Sequence, residues 1–198
     1  MKTLIFIGLL AFSATIYAQN TEIKELPYHQ IPDYPANYEA GSMVARMIDG
    51  LGYRFYWATE GLTEKDLAFR PSEKARNTLE TIQHIYDLTV FIINIHQGLP
   101  APPRNKNAPL AFQELRQKIL FNLQKASQLM VGKNAQAFSK HPIIFKRGDK
   151  ESKLPYWHMI NGPIADAIYH TGQLVSFRRM SGNPMNPKVS VFMGKNRK

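Results

Sequence analysis

The chain has 198 residues, which suits a single domain with a sizeable core, and it contains no cysteine. Disulfides, thiolate ligands, a cysteine nucleophile and a lipoprotein anchor are therefore excluded, and any metal must be held by histidine, aspartate or glutamate. The formal net charge of +10 permits attraction to anionic polymers or lipids. The basic residues are scattered and no nucleic-acid motif accompanies them, so we expect a solvated surface and no nucleic-acid partner.

The amino terminus has the pattern of a secretory signal peptide over residues 1–18. Lys2 precedes an apolar run from Leu4 to Phe12, and the small residue Ala18 stands at a suitable cleavage position. The run is shorter than the roughly 20 residues that a membrane-spanning helix needs, so a retained anchor is the weaker interpretation. We therefore predict a secreted or periplasmic protein that has no membrane partner after cleavage.

Four helices are predicted between residues 38 and 184, after an extended, proline-rich lead-in at 19–37. Apolar residues recur at three or four positions over about Tyr38–Glu60, Thr78–Gln97, Leu110–Gln136 and a last segment that ends near Met180. Gly61 ends the first helix, and Gly182 with Pro184 ends the fourth.

The start of the fourth helix has two interpretations. Pro155 can occupy its first turn with Pro163 as a kink, or Asn161 can cap a helix that begins only at Gly162. The link before it, "KHPIIFKRGDKESKLP", is predicted to be irregular. The whole pattern favours an all-α four-helix bundle over 38–184, followed by a basic tail at 185–198.

Polar side chains recur at helical spacing inside the apolar fourth helix. Asp166, His170 and Gln173 lie on one line at i, i+4 and i+7. On the second helix, His84 shares a line with Leu88 and should lean inward. Two imidazoles and a carboxylate that converge from two helices would form an open metal site. The alternative is an ion pair between Asp166 and His170, with His84 as a core histidine.

The remaining histidines are interpreted by their positions along the chain. His29, His96 and His141 stand beside turns or helix ends, so they are expected to be exposed. His158 is the reserve metal ligand if Asp166 does not bind the ion itself.

The segments "TIQHIYDL" on the second helix and "NGPIADAIYHTGQLVSFRRMSGNP" on the fourth resemble the DinB family, also described as DinB/YfiT-like metalloenzymes. The resemblance spans about Tyr38 to Pro184. That family's usual triad, one histidine on helix two and an H-x-x-x-H pair on helix four, falls on His84, Asp166 and His170. The "H-x-G-Q" match ends at Gln173, whereas Asp166 replaces the first histidine of the pair. The resemblance implies a divalent metal ion, with zinc, nickel, manganese and iron all open.

The resemblance also implies a metal-dependent enzyme that acts on a small molecule, as a hydrolase or as a transferase that uses a cellular thiol. Export argues against a thiol co-substrate, because such thiols are mainly cytoplasmic. The candidate catalytic residues are His158 and Gln173, and either His158 or Asp166, whichever is not a ligand, would act as the base. The alternative is a non-catalytic metal-binding or structural bundle. A second copy of the chain, bound through the outer faces of the helices in a homodimer, is the protein partner that such a bundle allows.

Overall fold

The computed structural model describes residues 25–103 and 110–198. The predicted signal peptide and the first part of the lead-in lie outside these residues. The described chain is mostly helical, with one small sheet. Its helices are α1 (Ala40–Thr59), α2 (Glu64–Ala68), α3 (Thr78–His96), α4 (Phe112–Met130), α5 (Ala135–Ser139), α6 (Trp157–Met159) and α7 (Ala165–Met180), with a π-helical turn, Ile160–Ile164, between the last two.

Four long helices enclose the hydrophobic core. Helix α1 packs against α4 and α7, and α3 packs against the same two helices from the other side. Each contributes fully buried apolar side chains to one cluster, which includes Ile48, Leu51, Phe55, Ile82, Ile85, Ile119, Leu123 and Leu174. Fully burying each such side chain contributes roughly 1.5–3 kcal/mol, so this shared core is the main force that brings α3 and α7 together. Within the described residues, no helix combines the length and the apolar character that spanning a bilayer requires.

The third predicted helix is shorter than expected. Helix α4 ends at Met130 rather than near Gln136, because Gly132 adopts a positive φ of 76° that leaves the right-handed helix. Asn134 then caps the separate short helix α5 by accepting a hydrogen bond from the Ala137 amide.

The link before the last helix forms a β-hairpin, so the prediction of an irregular segment and of a purely α-helical fold was wrong in this detail. Strand β1 (Ile143–Arg147) pairs with antiparallel β2 (Lys150–Leu154), with Ile143 opposite Leu154. Every residue of β2 is exposed. The alternation of apolar and polar residues that marks a half-buried strand is therefore missing from this segment of the sequence.

The start of the last helix follows the kinked interpretation. The chain turns helical at Trp157, just after Pro155, and the π-helical turn then contains Pro163. Gly162, at φ −99° and ψ −109°, departs from helical geometry next to that proline. Proline lacks the amide that a helix interior requires, and the wider turn accommodates this loss. The kink sets the direction in which α7 leaves the turn and so positions its first residues.

The lead-in and the tail both pack against α1. The ring of Tyr28 lies so close to Gly52 that a Cβ atom there would stand 2.4 Å from it. The Tyr28 hydroxyl also donates to Asp49 Oδ1 at 2.9 Å. From the other end of the chain, Asn196 Oδ1 accepts a hydrogen bond of 3.0 Å from the Tyr53 hydroxyl. Both ends of the described chain are thus part of the folded body.

Candidate metal centre

Three of the predicted site residues come together between α3 and α7. Asp166 Oδ2 lies 3.4 Å from His84 Nε2, and Asp166 Oδ1 lies 3.3 Å from His170 Nε2. One ligand atom from each residue can be chosen so that all lie within 4.8 Å of one another. The group can therefore hold a metal ion, with two nitrogens and one oxygen as donors.

Helix geometry explains this arrangement. Asp166 and His170 are one turn apart on α7, so their side chains project from the same face. His84 arrives from the facing helix α3, and its ring meets that of His170 edge to face, with the centroids 4.6 Å apart. The His170 side chain is the most enclosed at 12% exposure, and Asp166 is the most open at 42%. The cluster thus opens to solvent on the side of Asp166.

Gln173 sets the proton position on His170. Its side-chain oxygen Oε1 lies 2.7 Å from His170 Nδ1, and an amide oxygen can only accept, so Nδ1 carries the hydrogen. In the neutral imidazole this leaves a lone pair on Nε2, the nitrogen that faces Asp166 Oδ1. The predicted catalytic residue Gln173 therefore contacts a candidate ligand, as partners that orient metal-binding histidines do.

The electrostatic surroundings favour an uncharged His84. Burial, the positive charge of Arg76 and the neighbouring His170 together lower the pKa of His84 from its usual value of 6.5, against the opposing effect of Asp166. A neutral imidazole is the form that binds a metal. An ion pair between His84 and Asp166 would need the charged form instead.

His158 lies apart from this cluster. It is an exposed residue of the short helix α6, and the group of convergent donors consists of the other three residues. Asp166 is thus the third member of the cluster, and His158, the alternative ligand predicted from the sequence, is not part of it.

The other histidines divide by burial. His29 is exposed, as predicted, and His141 is partly buried beside Lys133. The prediction of an exposed His96 was wrong, because Tyr156 covers the end of α3 and its hydroxyl lies 2.6 Å from His96 Nε2. The contact joins residues 60 positions apart, so nothing in the local sequence signals it.

A shallow, solvent-open cavity of about 480 Å³ adjoins the open side of the cluster. Asp166 forms part of its wall, and the π-helical turn supplies much of the rest. The other lining residues are Leu88, Asn161, Gly162, Pro163, Ala165 and Tyr169. From the sequence, Asn161 was interpreted only as a helix cap and Tyr169 was not singled out, although Tyr169 directly precedes His170. The cavity gives a small molecule access to Asp166, the one candidate ligand that lines it.

A second cavity, of about 610 Å³, is more apolar and contains none of the three candidate ligands. It lies between the first turns of α1, helix α5 and the start of the last helix, where Met43, Phe138 and Trp157 line it. The cavity beside Asp166 is therefore the one associated with the candidate metal centre.

Comparison of this chain with protein-family models, with curated proteins and with solved structures finds no match. The chemistry of the site is therefore inferred from its own residues and their geometry.

Proposed function

We propose that the chain is an exported, DinB-like four-helix bundle that binds one divalent metal ion and hydrolyses a small molecule. His84, Asp166 and His170 are the proposed ligands. The packing of α1, α3, α4 and α7 around one core supports the bundle, and the residue pattern of the second and fourth long helices supports the family.

One contact carries the proposal of a metal site. His170 Nε2 and Asp166 Oδ1 face each other at 3.3 Å, although the hydrogen bond to Gln173 places the imidazole hydrogen on the other nitrogen. With a neutral His170, the two acceptors in this position repel each other unless a cation lies between or beside them, whereas a protonated His170 would form the ion pair that is the alternative to a metal site. A metal ion satisfies both atoms together with His84, whose lowered pKa favours its neutral, ligating form.

When bound, a divalent ion at this site would act as a Lewis acid and would lower the pKa of water. The protein residues supply the rest of the chemistry. His84 and His170 bind as neutral imidazoles, and Asp166 reduces the net positive charge of the centre. Gln173 holds His170 in the ligating tautomer. The volume of the adjoining cavity lies within the range of small-molecule sites, which is roughly 300–1,000 Å³.

Hydrolysis is proposed over thiol transfer because export removes the chain from the main supply of cellular thiols. His158, which lies outside the cluster and is not part of the cavity wall, is the proposed proton acceptor from the rim, since Asp166 is engaged by both imidazoles. His158 stands three residues before Asn161, on the turn that leads into the wall of the cavity. A substrate with an ester or amide bond and a modest apolar group suits a wall that combines Asn161 with Leu88 and Pro163.

The first experiment measures metal content by elemental mass spectrometry after incubation with each candidate divalent ion and removal of the excess. The wild type should retain near one equivalent, and the variants His84→Ala, Asp166→Ala and His170→Ala should lose it. His29→Ala, which removes an exposed histidine outside the cluster, is the matched control. Circular dichroism confirms that each variant is folded.

The second experiment separates an enzyme from a metal-binding bundle. A panel of small esters and amides is screened with the metal that the wild type retains. Turnover that needs the metal and is lost in both His170→Ala and His158→Ala supports the hydrolase. A protein that retains the metal without turning over any compound supports the non-catalytic alternative, and a folded protein that takes up no metal rules out both proposals.

A further inference from the structure

The carboxy-terminal turn, residues 190–194, displays three consecutive apolar side chains to solvent. Phe192 is 94% exposed, Met193 is 51% exposed and Val191 is 43% exposed. Single exposed apolar residues are common on protein surfaces, but an adjacent group at the tip of one turn forms a patch. Among the described residues, Phe192 is left almost fully uncovered and its two neighbours about half uncovered.

The turn is held in place on both sides. The Gly194 amide donates to the Ser190 carbonyl at 2.9 Å, and the Gly194 carbonyl accepts from the Ile31 amide at 2.8 Å. Gly194 has a positive φ of 68°, and a Cβ atom there would lie 2.5 Å from the Ile31 side chain. Ser190 is buried beneath the tip, and Asn196 is bonded to Tyr53. The three apolar side chains are thus presented by a fixed scaffold.

Positive charge surrounds the tip. Lys188, Lys195, Arg197 and Lys198 are all exposed, and a hydrogen bond of 2.8 Å from the Arg197 amide to the Lys188 carbonyl brings the two sides of the turn together. The sequence contains no acidic residue after Asp166. On the neighbouring segment, which contains the acidic residue Asp33, the guanidinium of Arg46 donates to the Pro32 carbonyl at 2.7 Å. The surface around the tip is therefore predominantly basic.

We propose that the carboxy-terminal turn is a peripheral membrane anchor for anionic lipid. Val191, Phe192 and Met193 enter the boundary between headgroups and acyl chains, and the surrounding lysines and arginine bind the phosphates of the headgroups. Apolar insertion combined with a basic surround is the arrangement by which proteins attach to anionic bilayers without spanning them. This replaces the expectation that the exported chain has no membrane partner, and it is independent of the proposed metal chemistry.

The apolar tip favours a bilayer over other polyanions. Phosphate contacts to a nucleic acid come from basic and polar groups, and single-stranded nucleic acid is bound on successive aromatic rings, whereas this tip combines one aromatic ring, Phe192, with the aliphatic side chains of Val191 and Met193. A bilayer offers phosphates and an apolar layer a few ångströms apart. In a short turn with apolar residues at its tip and basic residues on its flanks, the tip can reach the apolar layer while the flanks contact the phosphates.

The test is co-sedimentation with vesicles, using the chain from Gln19 onward, which keeps every residue that the structure describes. Wild type should bind vesicles of equal parts phosphatidylglycerol and phosphatidylcholine, and should bind phosphatidylcholine alone far more weakly. Phe192→Ala should weaken binding to the anionic vesicles about tenfold, because it removes most of the inserted apolar area. Lys195→Glu should weaken it by at least about fivefold, since each basic residue near such a surface contributes on that scale.

Tyr38→Ala is the matched control, because Tyr38 is an equally exposed aromatic residue just before α1. Tyr38 is distant from the carboxy-terminal turn, because the start of α1 lies about 20 Å along the helix axis from Tyr53, which bonds to Asn196 in the tail. Phe192→Trp should keep the affinity and add fluorescence that brominated lipid quenches. Equal binding by Phe192→Ala and wild type, or equal binding to both vesicle types, overturns the proposal. Binding to DNA that depends on the lysines, without binding to vesicles, overturns it as well.

Discussion

His170 Nδ1 and Gln173 Oε1 lie 2.7 Å apart on α7, and this hydrogen bond directs the opposite nitrogen of the imidazole toward Asp166. The relationship is local, since the two residues are separated by three positions of one helix. It gives Gln173 a defined task, because a ligand histidine binds well only when its other nitrogen has a partner that sets the tautomer.

Removing the Gln173 acceptor should therefore weaken metal binding without disturbing the fold. We expect Gln173→Ala to lower the metal affinity about 10–100-fold, the effect usual for such partners. Gln173→Glu keeps an acceptor oxygen at this position and should retain most of the affinity. Competition with a chromophoric chelator measures both values. Ser176→Ala, at an exposed position on the same helix, is the control, and an unchanged affinity in Gln173→Ala would contradict the assignment.

Metal binding should survive the replacement of Asp166 by another ligating side chain, but not its replacement by asparagine. Asp166→His would place three imidazoles at the site, so we expect it to retain a metal ion. Asp166→Asn keeps the size of the side chain but removes the charge, and it should bind the metal much more weakly. Metal content after dialysis distinguishes the variants. Full retention by Asp166→Asn would show that the two histidines suffice and that Asp166 is not a ligand.

The stability of the metal-free protein should fall at acidic pH because of His96. Burial lowers the pKa of His96 from 6.5 to about 4. The unfolded state therefore binds the proton first, so the stabilising contribution is complete above pH 6.5 and is lost as the pH falls toward 4. The pKa difference corresponds to about 3 kcal/mol at the acidic limit.

Urea unfolding at pH 7 and at pH 4, in the presence of a chelator, measures this loss. The variant His96→Gln removes the titrating group and should show a smaller difference in unfolding free energy between the two pH values. The exposed His29 provides the control variant His29→Gln, which should behave like the wild type. If His96→Gln loses as much stability as the wild type, another group causes the acid sensitivity.

Truncation of a buried side chain in the core between the long helices should strongly lower the free energy of unfolding. Leu51 on α1 is fully buried, so Leu51→Ala should cost about 2–5 kcal/mol of unfolding free energy. Met47, one turn earlier on the same helix, is 39% exposed and serves as the comparison. Met47→Ala should cost clearly less. Thermal and urea unfolding of both variants measure the contrast, and equal losses would mean that the packing around α1 differs from the structure described here.

The sequence by itself predicted the four main helices and named all three candidate ligands, and it determined which of them share a helix face. A helical repeat is a local property, so the periodicity predicts α1 and α3 to within two residues of their observed ends. The same reasoning places Asp166, His170 and Gln173 on one face, because positions three and four apart on a helix are neighbours whatever surrounds them.

The tertiary structure decided the contacts between distant segments. The approach of His84 to Asp166 depends on how α3 packs against α7, and the burial of His96 depends on Tyr156, which follows the hairpin. The fixed display of Phe192 depends on Gly194 meeting Ile31 from the other end of the chain. Such contacts arise from the packing of a shared core and from hydrogen bonds between distant residues. The apolar periodicity shows which face of a helix is buried, but not which distant segment packs against that face.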